Sequence, residues 1–144
     1  MKSLIAAAAL ALACTGAFAK DLSEADVPQA VQSGLTQTFA GARVHEWDYK
    51  KDDGLFKAEF RVGDKEGKAY LTPEGKVVKS KIDVAPEGIP AKVREAALKD
   101  FPGAALLGAH RRVKDDRVTW AVSLRLANGR HKNPVYNEAG FRLD

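Results

Sequence analysis

After an apolar start, the chain states nearly the same pattern twice. Val27-Pro28 opens an amphipathic stretch that reaches Phe39, with Gly41-Ala42 just beyond, and Ile89-Pro90 opens another that reaches Phe101, with Gly103-Ala104 just beyond. The spacing is constant: Ile89 lies 62 residues after Val27, and Phe101 lies 62 after Phe39. Each stretch is followed by alternating strand-like segments, a charged turn and a closing Gly75-Lys76-Val77 or Gly140-Phe141-Arg142. Repetition at a fixed period constrains architecture strongly, because each copy must fold alike and about 60 residues alone bury too little surface to be comfortable. It describes a scaffold and not a reacting centre.

Residues 1–19 read as an export signal. Lys2 supplies a positive start, residues 4–13 an apolar run well short of the ~20 needed to span a bilayer, and Ala17-Phe18-Ala19 the small residues of a cleavage site before Lys20. Removing these 19 residues from 144 leaves 125. The only cysteine, Cys14, lies within the signal, so the cleaved product has no thiol, disulfide or cysteine metal ligand. Ala11-Leu12-Ala13-Cys14 is also a loose lipobox, which makes a lipoprotein acylated at Cys14 the alternative to the periplasmic or secreted product expected. The chain carries 23 Lys and Arg against 19 Asp and Glu with the signs interspersed, which gives no case for nucleic-acid binding.

Within each half the period changes from helix to strand. Residues 20–26 are polar and acidic and read as a disordered start. Pro28 suits the first turn of a helix carrying Ala30, Val31, Leu35 and Phe39 on one stripe; Pro90 opens the counterpart with Val93, Ala97, Leu98 and Phe101. Phe56, Ala58, Phe60 and Val62 then alternate with Lys57, Glu59 and Arg61, and Val118, Trp120, Val122, Leu124 and Leu126 alternate with Thr119, Ala121, Ser123 and Arg125. Such alternation marks antiparallel strands with one buried and one wet face, and it puts Trp120 in the core. Aligning Phe60 with Leu124 needs an offset of 64, so the turn at Asp115-Asp116 is expected to be two residues longer than that at Asp52-Asp53-Gly54. Shorter strands are expected at 43–49, 67–72 and 76–84, and again at 105–113, 131–136 and 141–143. The expectation is an α+β fold: a tandem repeat of helix plus four-stranded antiparallel units, 20–84 and 85–144, in one compact domain.

An apolar-Pro start, a helix ending in Phe-(Ala/Pro)-Gly-Ala, alternating strands and a Pro-Glu-Gly or Glu-Ala-Gly turn, all twice over, resemble the PepSY-like family of exported bacterial proteins, also called beta-lactamase-inhibitor-like. The resemblance covers residues 27–143. It implies that the two units join into one larger antiparallel sheet, helices packed on one face and the other face open. It also implies binding or restraint of a peptidase or another exported protein, and it transfers no catalytic residue.

The residues themselves offer little chemistry. His45, His110 and His131 are scattered; only His45, with Glu46 and Asp48 beside it, forms a candidate metal site, and a solvent-facing strand histidine is the plainer reading. Gly63-Asp64-Lys65-Glu66-Gly67-Lys68-Ala69 has the wrong spacing for a phosphate loop and sits between strands, so it reads as a hairpin turn. Asp52-Asp53 and Asp115-Asp116 occupy equivalent turns, where exposure keeps both carboxylates ionised and argues against an acid-base pair. No Ser stands in a Gly-x-Ser-x-Gly elbow. Arg111-Arg112 with Lys114, and Lys76, Lys79 and Lys81, form modest basic clusters, read as a charged sheet edge.

Strict alternation puts His45, Trp47 and Tyr49 on one face of their strand and Val44, Glu46 and Asp48 on the other. Facing away from the helix, Trp47 and Tyr49 with Lys57, Arg61 and Tyr70 would form a protein-binding surface; facing it, they would be core. The expectation is therefore a non-catalytic, cofactor-free periplasmic binding protein. Its partner would be another envelope protein such as a peptidase, with Trp47, Tyr49, Lys57, Arg61 and Tyr70 as contact residues. The alternative is an envelope sensor of a small ligand or metal ion built on His45, Glu46 and Asp48.

Overall fold

In the computed structural model, residues 21–144 are described. The export signal and the acylation alternative at Cys14 lie outside them. The chain divides into two compact units, the first ending at Val78 and the second beginning at Lys79. This boundary lies upstream of the one expected at 84/85 because it falls inside a strand. From Lys79 onward that strand pairs residue by residue with the one following the second helix.

The first unit opens with β1 (Asp21–Leu22) and a 3-10 turn (Glu24–Asp26), where disorder was expected. The Ser23 hydroxyl donates to the Asp26 carboxylate at 3.0 Å, and Leu22 pairs with Trp47, so this segment is ordered by its own turn and by the sheet. Helix α1 (Gln29–Thr38) follows Pro28, whose carbonyl accepts from the Val31 and Gln32 N–H groups at 3.0 and 3.2 Å. Proline's fixed φ suits this position, and its missing N–H is one the helix start would leave unpaired anyway. Strands β2 (Arg43–Lys50), β3 (Leu55–Val62) and β4 (Lys65–Leu71) complete an antiparallel array in the order β1-β2-β3-β4. Phe56, Ala58 and Phe60 of β3 are buried, and the Phe39 ring at the end of α1 lies 4.9 Å from that of Phe60. Gly67 stands opposite Phe60, where a Cβ would come within 2.6 Å of the ring.

In the second unit a helix is again followed by antiparallel strands. β5 (Val77–Val84) leads through a 3-10 turn (Pro86–Gly88) to α2 (Ala91–Asp100), β6 (Ala105–Lys114) and β7 (Arg117–Arg125). The carbonyl of Pro90 accepts from Val93 and Arg94 at 3.0 and 2.9 Å, as Pro28 does in the first unit. Ile89, Val93 and Ala97 pack with Ala109, Trp120, Val122, Leu124 and Tyr136 in one core, so Trp120 is buried as its alternation predicts.

The closing turns are fastened to the helices in the same way. Gly75 has φ +94° and would place a Cβ 2.2 Å from the Ala30 carbonyl oxygen; Gly140 has φ +91° and would place one 2.8 Å from that of Lys92. Only a residue without a side chain permits both the left-handed backbone and the approach.

Three expectations are corrected. The 115–116 turn is shorter, not longer, than the 51–54 loop: Asp115 and Asp116, with φ 50° and 65°, form a two-residue connection, and the extra residues lengthen the hairpin arms instead. Positive φ at both positions matches the twist of paired strands. The strand expected at 131–136 is broken into β8 (His131–Lys132) and β9 (Val135–Asn137), since Pro134 has no N–H to give the ladder. Residues 141–143 form no strand of their own, contributing a single bridge between Arg142 and Tyr136.

Candidate functional site

A β-bulge decides which side chains of β2 share a face. The register with β3 runs Val44 to Phe60, then Glu46 to Glu59 and Trp47 to Ala58, so His45 drops out of the pairing. One extra residue reverses the alternation on either side of it. Val44, Trp47 and Tyr49 therefore share the face of Phe56, Ala58 and Phe60, where α1 packs. Glu46 and Asp48 share the opposite face with Lys57, Glu59 and Arg61.

The expected contact residues are thereby split. Trp47 is 5% exposed, and the Tyr49 ring lies 4.9 Å from that of Phe56, so neither joins the open face. The bulge is the physical reason: strict alternation does not survive it. Lys57, Arg61 and Tyr70 do share the other face, with Tyr70 directly across from Lys57 on β4 and Arg61 further along β3, across from Glu66.

These side chains form an ordered ionic array. The Lys57 ammonium lies 3.0 Å from Glu59 Oε2 and 3.3 Å from Asp48 Oδ2, and its side chain is only 13% exposed. The hydrogen bond to Glu59 raises the Lys57 pKa above the ordinary lysine value; partial burial works against it and the bond to Asp48 with it. Reciprocally, Lys57 holds the Glu59 carboxyl below its usual range, against partial burial, with Lys68 at 4.0 Å adding attraction. Asp48 Oδ1 is buried and has no hydrogen-bond partner among the described residues. Lys57 is thus a brace within the array; Tyr70 faces it from β4, and Arg61, four residues further along β3, is exposed.

At the edge of the array, Arg61 Nε donates to Glu66 Oε2 at 2.6 Å and His45 Nε2 lies 3.4 Å from Glu66 Oε1. Arg43, Val44, His45, Arg61, Gly63 and Glu66 line a shallow cleft of about 360 Å³. The candidate metal set does not assemble here. His45, looped out at the bulge, turns to Glu66, while Asp48 already holds the Lys57 ammonium. No group of three or more His, Cys, Asp or Glu placed to hold a metal ion occurs among the described residues.

The Asp48–Lys57–Glu59 bracing was missed from sequence because it depends on the bulge. The one available signal was Val44 beside two acids on a supposedly single face, a conflict that a shift of phase resolves.

No helix among the described residues is long and apolar enough to cross a membrane. No protein-family model and no curated protein matches the chain. Solved structures do. A DUF2874 family protein from Bacteroides uniformis matches at 18% identity over 81% of this chain and 86% of its own, with a TM-score of 0.58. A protein from Bacteroides eggerthii, provisionally described as periplasmic, matches at 18% identity over 82% and 86%, with a TM-score of 0.56. A BLIP-like protein from Bacteroides fragilis matches at 15% identity over 81% and 84%, with a TM-score of 0.59. At such identities the likeness is one of architecture: this chain is an α+β protein with a BLIP-like fold.

Proposed function

We propose that this chain is an exported, non-catalytic binding protein of the periplasm that holds or restrains another envelope protein, such as a peptidase, through the open sheet face of its first unit. The observation that carries this reading is the array around Lys57. Charged side chains are braced there into fixed positions, with Tyr70 across from Lys57 and the exposed Arg61 further along the same strand, on the face opposite the one that packs α1. Arg and Tyr are the residue types that dominate protein contacts, and a braced surface loses little freedom on binding. The BLIP-like fold and the export signal read at residues 1–19 point the same way. We also read the two units as a tandem duplication of PepSY-like type, supported by the matching Pro-started helices, the bulges at corresponding places in β2 and β6, and the glycine turns against each helix.

The test is affinity capture from periplasmic extract with the chain from Lys20, beside an Arg61→Ala/Tyr70→Ala variant. One dominant protein, retained by the parent and depleted with the variant, is the expected result. Equal retention by both would place contact elsewhere, and an empty column would sink the protein-binding reading.

A further inference from the structure

The register of the second unit gathers cations that the sequence scatters. On the face of the sheet opposite the core, Lys79 of β5 pairs with Lys114 of β6, which pairs with Arg117 of β7; one step on, Lys81 pairs with Arg112, which pairs with Thr119. All five cations are exposed. Arg111, by contrast, pairs with the buried Trp120 and lies on the other face.

Directly opposed like charges destabilise a sheet, yet three of these successive pairings join two cations. Lys81, Arg112, Lys114 and Arg117 make no ion pair with any described residue. None of the neighbouring carboxylates forms an ion pair with them: Asp83 is held by His110 at 2.6 Å, and Asp115 and Asp116 form the hairpin tip beyond the last row. The charge of the whole chain follows the same division. Residues 79–144 carry thirteen Lys and Arg against eight Asp and Glu, and residues 20–78 carry nine against eleven.

We propose that this basic face of the second unit binds an acidic, extended segment of a partner protein. The geometry favours a strand-like ligand. Cations two apart on one strand are ~6.8 Å apart, the repeat at which alternate side chains of an extended peptide emerge on one side. Neighbouring strands place a second column of cations ~5 Å away. A peptide with Asp or Glu at alternate positions can therefore set successive carboxylates against successive rows, whereas a second copy of this net-positive chain would be repelled. The inference rests on the reading of the chain as a protein-binding scaffold and adds the chemistry of what it binds.

The probe is a fluorescein-labelled peptide of about twelve residues alternating Glu and Thr, titrated with the purified chain and followed by anisotropy. A same-composition peptide with its glutamates grouped together and phosphatidylglycerol vesicles are titrated in parallel. Saturable binding of the alternating peptide that weakens with salt is expected, with an Arg112→Glu/Lys114→Glu variant weakened roughly tenfold or more. A Lys92→Glu/Lys99→Glu variant, which makes the same charge change on exposed positions of α2, should bind normally. In the absence of peptide, Arg112→Glu alone should raise the melting temperature by relieving like-charge opposition, which guards against a misfolded variant. Equal loss in both double variants, or equal affinity for the grouped peptide, would reduce the effect to net charge and overturn the proposal. Binding to vesicles but not to peptide would overturn it in favour of a lipid surface. Peptide binding beside an empty capture column would leave this site standing and remove the partner assigned to the first unit.

Discussion

Adding one methyl group at Gly75 should cost more than adding it at any glycine that is merely left-handed. At Gly41, φ is +81° and a Cβ would meet nothing within 4 Å, so Gly41→Ala pays only for the backbone conformation, about 1–2 kcal/mol. At Gly34, inside α1, the conformation is ordinary but the Cβ would lie 1.9 Å from the Gly75 carbonyl oxygen. Backbone cannot rotate aside as a side chain can, so the helix or the turn must move, an overpacking cost of about 1–3 kcal/mol. At Gly75 both effects act: φ is +94° and the Cβ would lie 2.2 Å from the Ala30 carbonyl oxygen. Their sum is about 2–5 kcal/mol, at the high end for a single substitution. Urea unfolding of the three alanine variants and the parent, read by tryptophan fluorescence and extrapolated linearly, measures each cost. Trp47 reports on the first unit and Trp120 on the second. Gly140→Ala, with its milder 2.8 Å approach to Lys92, should fall between Gly41→Ala and Gly75→Ala. A Gly75→Ala variant no less stable than Gly41→Ala would refute the claim that the turn is held against the helix by a backbone-to-backbone approach.

Two further outcomes follow from burial. Trp47→Ala should destabilise the chain by about 3–5 kcal/mol, as removal of a large buried side chain does, while Arg61→Ala, at an exposed side chain, should stay within about 1 kcal/mol of the parent by the same urea assay. A Trp47→Ala variant as stable as its parent would return that residue to the surface. Tyr136 is fully buried and its hydroxyl donates to Asp100 at 2.8 Å; burial first, and then that hydrogen bond, push its pKa far above the ordinary tyrosine value. In an alkaline titration at 295 nm, one of the three tyrosines should therefore stay protonated until the chain unfolds. The unfolded chain loses that proton from about pH 10 upward and the folded chain does not, so stability should fall as pH rises through this range. Tyr136→Phe should remove that dependence.

What the sequence made legible was local. Pro28 and Pro90 start helices and Phe39 and Phe101 end them through the geometry of one turn, so a short window of residues suffices. The buried runs of β3 and β7 show because their alternation is uninterrupted. What remained hidden depends on pairing. His45 and Leu107 are looped out only because strands β3 and β7 pass them by, and within β2 only the conflict of Val44 with two acids hints that Trp47 changes face. The bracing of Lys57 between Asp48 and Glu59 follows from that change. The basic rows of the second unit likewise exist only across strands: Lys81 and Arg112 are far apart in sequence and become neighbours through register.

The two bulges also show where such a unit can change without refolding. Val44 and Glu46 in β2, and Leu106 and Gly108 in β6, keep the ladder going across the residue they skip. His45 and Leu107 stand outside that ladder and are both exposed, one an imidazole and the other an aliphatic chain. Each unit thus carries one exposed strand position outside the ladder, whose side chain shapes the local surface while the paired neighbours hold the frame. A fluorophore attached at either position would sit on an exposed side chain outside the strand pairing and report on its own unit.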